Sequence, residues 1–264
     1  MVKEFKHEQY WTIILGGSSG LGLASAFKLA AHGMNICIVH RNTRAEMEGI
    51  NNAFASLKKY GTEVMIFNAD IIKTDSRKEI LQALQHKTGP GKIRCLLHSI
   101  AKGNLKAMAS DTEPVLQNDD FVLTLQHMAI SLYDWTKDIF EAKLFAKDAR
   151  VLAFTSEGSA KAWKHYAAVS TAKAGLEAIT RSIALEFAPY GLRANCIQAG
   201  VTDTRSLRMI PGNEKLMAHG IENNPFKRLT TPQDVANVVY LLCKDEASWI
   251  NGAIIPVDGG ARIC

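Results

Sequence analysis

Three constellations in this 264-residue chain are of types that do chemistry. The first is Leu15-Gly16-Gly17-Ser18-Ser19-Gly20-Leu21-Gly22, which follows a short apolar run and precedes a helical pattern. Glycines there allow a tight turn, let the backbone approach a pyrophosphate and let the helix pack close to the strand. The N–H groups opening the helix, including those near Ser18, Ser19 and Leu21, face the anion. No GxxxxGK[ST] run occurs, which argues against a nucleotide triphosphatase loop. The second is Val39-His40-Arg41-Asn42-Thr43-Arg44, at the place where an NAD site puts a ribose-binding acid. Arg41 stands there instead, and a guanidinium pairs a 2′-phosphate through charge-assisted bonds, so the expected cofactor is NADPH. The third is Tyr166 and Lys173, seven residues apart. At about 100° per residue, seven helical steps return to within roughly 20° of the starting direction, so a phenol and an ammonium share one helix face two turns apart.

The rest of the chain is ordinary for a globular protein able to bury a core. Hydrophobic residues are 47% and charged residues 22%, which excludes disordered, collagen-like and disulfide-dense classes. A net charge of +5 with no long cationic run does not call for nucleic acid. Cys37, Cys95, Cys196, Cys243 and Cys264 form no CxxC pair and no cluster with histidine, so neither a metal site nor a disulfide framework is expected. The start, Met1 to Tyr10, lacks the apolar core of a signal peptide, and nowhere do eighteen apolar residues run together. A soluble cytoplasmic protein without membrane contact is the expectation.

Seven short apolar runs predict the strands that position these groups: Trp11 to Leu15, Ile36 to Val39, Val64 to Phe67, Cys95 to Ser99, Val151 to Thr155, Ala194 to Gln198 and Ala253 to Val257. Between them, helices are predicted over Leu21 to His32, Arg44 to Tyr60 and Thr74 to Thr88, each stopped by a glycine. The alternation predicts one α/β domain over residues 1–264, a Rossmann-like doubly wound fold with a seven-stranded parallel sheet. From Asp203 to Pro232 the rhythm breaks, and an irregular lid over about residues 205–228 is expected. Arg205, Arg208, Lys215, Lys227 and Arg228 there outnumber Glu214 and Glu222, leaving +3. Such a surface suits an acidic carrier protein, with Leu207, Met209, Ile210, Leu216 and Met217 covering an acyl pocket.

Gly16-xxx-Gly20-x-Gly22 resembles the glycine loop of the short-chain dehydrogenase/reductase family. Asn68-Ala69-Asp70 looks like its adenine-contacting segment, Ala199-Gly200-Val201-Thr202-Asp203-Thr204 like its nicotinamide-side motif, and Val257-Asp258-Gly259-Gly260 like its C-terminal signature. The family's usual Tyr stands four residues before its Lys, a place held here by Val169. The separation of seven, together with Leu97-His98-Ser99-Ile100-Ala101, resembles the enoyl-acyl-carrier-protein reductase branch. The resemblance implies NADPH-dependent reduction of an enoyl thioester in fatty-acid biosynthesis, with an acyl-carrier protein or acyl thioester as partner and a homotetrameric assembly. It places Tyr166, Lys173 and Ser156 in catalysis, and Asp70, Ser99, Ile100, Ala101, Lys173, Gly200, Thr202 and Thr204, with the glycine loop and Arg41, at the cofactor. Ser156, seventeen residues before Lys173, also keeps reduction of a 3-oxoacyl thioester or another carbonyl open. A dinucleotide-binding protein without turnover is the non-enzymatic alternative. His98 is expected to pack at the sheet end, and Gln126 or His127 to stand where ordinary members have a structural Asn.

Overall fold

A computed structural model describes residues 3–264 and contains all seven strands in one parallel sheet. Met1 and Val2, included in the predicted domain, lie outside the described residues. The strands are β1 (Trp11–Leu15), β2 (Asn35–His40), β3 (Val64–Asn68), β4 (Ile93–His98), β5 (Phe145–Thr155), β6 (Leu192–Ala199) and β7 (Ile254–Val257). Their order is β3-β2-β1-β4-β5-β6-β7, and every neighbouring pair is parallel. Every residue of β1, β2 and β4 is buried, because helices cover both faces.

On one face pack α1 (Gly20–Ala31), α2 (Met47–Leu57) and α9 (Pro232–Cys243), contributing Leu29, Phe54, Leu57, Val235 and Val239 to the core. On the other lie α3 (Thr74–Thr88), α4 (Asn118–Leu125), α5 (Ser131–Glu141) and α6 (Ala167–Glu186), represented by Leu84, Trp135, Ile139, Leu176 and Ile183. The chain leaves β1 and β4 toward opposite faces, which opens a crevice beyond their carboxyl ends. The glycine loop and residues 99–101 meet there.

Three local readings need correction. β5 begins at Phe145, six residues before the predicted Val151, and its register against β4 shifts between Ile93 and Cys95. The charged Lys147 and Asp148 in that irregularity hid the strand from a reading of apolar runs. The predicted helix over Arg44 to Tyr60 is α2 flanked by 3-10 turns at Arg44–Glu46 and Lys58–Tyr60. The segment expected to be irregular holds α7 (Arg205–Arg208) and α8 (Asn213–Glu222). Thr204 caps α7 by accepting from the Leu207 N–H at 3.3 Å. Gly212, at φ +76°, makes the left-handed turn into α8 that a side chain would strain. Among the described residues, no helix is long and apolar enough to cross a membrane, and no group of three or more His, Cys, Asp or Glu could hold a metal ion.

Candidate active site

The crevice has the shape a pyrophosphate requires. Gly16 has φ +84°, and a Cβ there would sit 2.4 Å from the Ser99 carbonyl oxygen; a Cβ on Gly22 would sit 2.4 Å from the Gly16 oxygen. Both positions admit only glycine, so the loop lies flat against the chain leaving β4, fixed by the Ser99 N–H donating to the Leu15 carbonyl at 2.8 Å. Ser19, the N-cap of α1, is exposed and makes no side-chain cap. The N–H groups of the first turn, between Ser18 and Leu21, therefore stay available to an anion. Thr204 approaches from the far side, its Cγ2 3.5 Å from where a Gly20 Cβ would be. Gly200 is held as tightly, since a Cβ would lie 2.5 Å from Thr230 Oγ1. Thr202 is buried and donates to the Gly200 carbonyl at 2.8 Å, stiffening the turn. These residues fit a dinucleotide.

Arg41 and Asp70 come together, the guanidinium donating to the carboxylate at 2.6 Å. Arg41 is 59% exposed and Asp70 14%. Behind them, His127 lies in a π-helical turn, Gln126–Ile130, which joins α4 to α5. Its Nδ1 is 2.9 Å from the Leu123 carbonyl and its Nε2 3.3 Å from Lys102 Nζ. The carbonyl only accepts and an ammonium only donates, so the ring is neutral with the proton on Nδ1. Burial lowers its pKa, in agreement. Sequence reasoning noted His127 only as a replacement and missed Lys102 and the π turn, for which no short-range signal exists.

Lys173 is 6% exposed, and its Nζ donates to the Phe154 carbonyl at 2.6 Å and the Ile100 carbonyl at 3.5 Å. The ammonium therefore ties the end of β5 to the chain after β4. Burial pulls its pKa from 10.5 to about 8, with Cys196 and Glu177 opposing. Tyr166 is not within the helix, as the periodicity argument had it, but is the N-cap of α6. His165 before it has φ +62°, which stops the helix from starting earlier. The Tyr166 ring is 7% exposed and packs with Met128, Val169, Ala172 and Trp163. Val169, where the common spacing would put the tyrosine, is buried in the same cluster.

Ser156 and Tyr166 converge on Gly158: a Cβ there would lie 2.6 Å from Tyr166 Cε1 and 3.3 Å from Ser156 Oγ. The Ser156 hydroxyl is buried and makes no well-formed hydrogen bond. Burial raises the phenol pKa of Tyr166, and the adjacent Ser156 hydroxyl opposes that rise. Ser170 Oγ donates to the Gly158 carbonyl at 2.5 Å, locking this turn to α6. Ile100, Leu105 and Ile210 pack against the tyrosine cluster, so the loop after β4 and the lid meet at the phenol, while Ala101 stays exposed. Of the apolar lid residues, Leu207 is buried but Met209 is 67% exposed. His98 is fully buried, its Nε2 2.8 Å from Ser131 Oγ, and burial first, then Lys173, lowers its pKa to about 3. It packs and does not protonate.

The lid arginines are not free. Arg205 pairs with Glu46, Arg208 with Asp203 and Arg228 with Asp234.

The family described as "Enoyl-(Acyl carrier protein) reductase" matches residues 16–262. The chain belongs to this family of short-chain dehydrogenases/reductases. It is an oxidoreductase. Its curated relatives include a probable 2,4-dienoyl-CoA reductase of Bacillus subtilis, 29% identical over 259 residues and covering 96% of each chain. They also include the 3-oxoacyl-[acyl-carrier-protein] reductase MabA of Mycobacterium tuberculosis, 27% identical over 248 residues, covering 94% of this chain and 91% of the other. Among solved structures, the enoyl-[acyl-carrier-protein] reductase (NADH) of Aquifex aeolicus superimposes with a TM-score of 0.83 at 23% identity, covering 97% of both chains. That likeness shows the fold. The two curated relatives are thus named for reduction of a dienoyl-CoA and of a 3-oxoacyl-[acyl-carrier-protein].

Proposed function

We propose that this reductase uses NADPH to reduce the carbon–carbon double bond of a trans-2-enoyl thioester. One observation carries the reading: Val169 fills the place one turn below, and the phenol stands at the N-cap, seven residues before Lys173. Reducing a carbonyl needs an acid beside the oxygen whose carbon accepts hydride. Reducing an enoyl thioester delivers hydride to the β-carbon and puts negative charge on the more distant thioester oxygen. A phenol displaced by one turn suits that oxygen. Bound NADPH would supply the hydride. Tyr166 would donate a hydrogen bond to the developing enolate, as an oxyanion donor does, and a solvent proton delivered to the α-carbon would complete the saturated thioester. Lys173, anchored on the Phe154 and Ile100 carbonyls, would hold the nicotinamide ribose and bring a fixed positive charge. The Gly16–Gly22 loop, Ser99, Ile100, Gly200, Thr202 and Thr204 would form the cradle, and Arg41, released from Asp70, would take the 2′-phosphate.

Ser156 supports a second reading. Its buried, unpartnered hydroxyl beside Tyr166 is where a ketone oxygen could be met by two donors, as reduction of a 3-oxoacyl thioester requires. Mixing the protein with NADPH and either a crotonyl or an acetoacetyl thioester, and following loss of cofactor absorbance, separates the two. Faster turnover of acetoacetyl thioester would overturn the enoyl reading.

The expected homotetramer is supported by apolar side chains left exposed on three helices: Val122, Leu123, Ile130 and Tyr133 along α4, the π turn and α5, and Leu185 at the end of α6. Pairing of these faces across two-fold axes would cover them.

A further inference from the structure

The loop after β2 carries an internal anion where the cofactor's ribose end would lie. Thr43 N–H and Thr43 Oγ1 both donate to Glu46 Oε2, at 2.8 and 2.9 Å. The other oxygen, Glu46 Oε1, is ion-paired with Arg205, which opens α7 and is 159 residues distant in sequence. The pair bridges the crevice from the lid to the loop that bears Arg41. A 2′-phosphate bound at Arg41 would bring about −1.5 to −2 charge to within a few residues of the Glu46 carboxylate. Left alone, that carboxylate would repel it. With Arg205 beside it Glu46 stays ionised, its pKa lowered to about 2 first by Arg205 and then by Thr43.

We propose that Arg205 determines cofactor specificity: its guanidinium neutralises Glu46 and so lets the β2 loop accept a 2′-phosphate beside Arg41. The assignment rests on the NADPH reading above. The partner chosen by Arg205 argues for the 2′-phosphate over the pyrophosphate. The pyrophosphate would lie on the Gly16–Gly22 loop, whereas Glu46 belongs to the segment that reads the ribose. Arg205 reaches this place only because Thr204 caps α7 next to Gly20 and points the first residue of the helix across the crevice. The bond also gives the otherwise lightly buried lid a hold on the opposite wall: α8 has no fully buried residue.

The two residues of one ion pair should then act in opposite directions on the same ratio. Titration calorimetry with NADP+ and with NAD+ measures both dissociation constants for the parent, Arg205→Gln, Glu46→Gln and the double variant. Glutamine at 46 keeps an oxygen for Thr43 and removes only the charge. Arg205→Gln should lower the preference for NADP+ about three- to tenfold, and Glu46→Gln should raise it by about threefold. The double variant should recover most of what Arg205→Gln lost, because the carboxylate that needed neutralising is gone. Equal weakening of both nucleotides by Arg205→Gln would overturn the proposal and make the arginine a lid strut or a pyrophosphate contact. A double variant as poor as Arg205→Gln would also overturn it. A parent protein that binds NAD+ more tightly than NADP+ would instead refute the NADPH reading itself, whatever the variants do.

Discussion

Replacing Lys173 by methionine should inactivate the protein without weakening its fold at neutral pH. Lys173 is 6% exposed and its pKa falls from 10.5 to about 8 through burial. Each tenfold change in proton affinity is worth about 1.36 kcal/mol, so holding the charge inside the folded chain at pH 7 costs about 3 kcal/mol relative to the unfolded chain. Methionine removes that cost and conserves the stem. The carbonyls of Phe154 and Ile100 lose their donor, which costs about 1–3 kcal/mol. The net change lies between none and a gain of about 2 kcal/mol, or a Tm rise of up to about 6 °C for a domain of this size. The sign reverses with pH. The parent's penalty is complete below pH 8 and disappears between pH 8 and 10.5, where the folded chain has lost a proton that the unfolded chain still holds. Parent stability should therefore rise toward that of the variant as the buffer becomes alkaline. Urea unfolding at pH 7 and pH 9.5, beside steady-state NADPH oxidation with a crotonyl thioester, measures both halves. A loss of more than about 2 kcal/mol at pH 7, or a difference that ignores pH, would show that the lysine is a structural strut.

Tyr166→Phe should slow turnover by about 10²–10³ while the NADPH dissociation constant stays nearly constant, since a single oxyanion donor acts in the transition state; an unchanged rate on crotonyl thioester refutes the assignment. Gly158→Ala should cut kcat severely, because its Cβ would meet Tyr166 Cε1 at 2.6 Å and force the ring aside; circular dichroism melting separates this from global unfolding, and full activity would refute it. Carrier-protein and coenzyme A thioesters of the same acyl chain should show KM values whose ratio moves less than about twofold between low and physiological salt; a steep loss with the carrier alone would restore electrostatic steering. Light scattering at micromolar concentration should give a tetramer, and a stable monomer would count against the pairing of α4, α5 and α6.

The sheet was legible because its inner strands β1, β2 and β4 are buried on both faces and its edge strands β3 and β7 are still short apolar runs. The glycine loop was legible for a related reason: Gly16 and Gly22 stand where backbone touches backbone, and such places leave one residue type. What stayed hidden depends on distance in sequence or on local overrides. Lys147 and Asp148 interrupt the apolar pattern of β5, and Asp148 there accepts from Arg94, Arg150 and Arg193. Helical periodicity put Tyr166 on the helix of Lys173 but could not see the left-handed His165 that makes the tyrosine its cap. Pro211, Gly212, Gly220 and Pro225 suggested a coil, although Pro211 and Gly212 lie between α7 and α8 and Pro225 follows α8. Gly220 lies inside α8, where a Cβ would meet Val201 at 3.1 Å, so it marks a close contact and not a break.

The lid's arginines are paired with acids that a charge count over the segment leaves out. The five cations between residues 205 and 228 gave a local excess because the partners of the three arginines lay outside the window. Glu46, Asp203 and Asp234 each take one arginine, and Lys215 and Lys227 are matched in number by Glu214 and Glu222. Counting those acids with the segment offsets its formal excess, so only a weak salt dependence of carrier binding is expected. Its arginines act at short range. Arg208 and Arg228 fasten the lid's ends to residues beside it, and Arg205 reaches across the crevice. On the proposed function, substrate selection would fall to the apolar surface where Leu105, Trp163 and Ile210 pack with Tyr166. That surface can contact the acyl chain of a thioester whether it arrives on a protein or on coenzyme A.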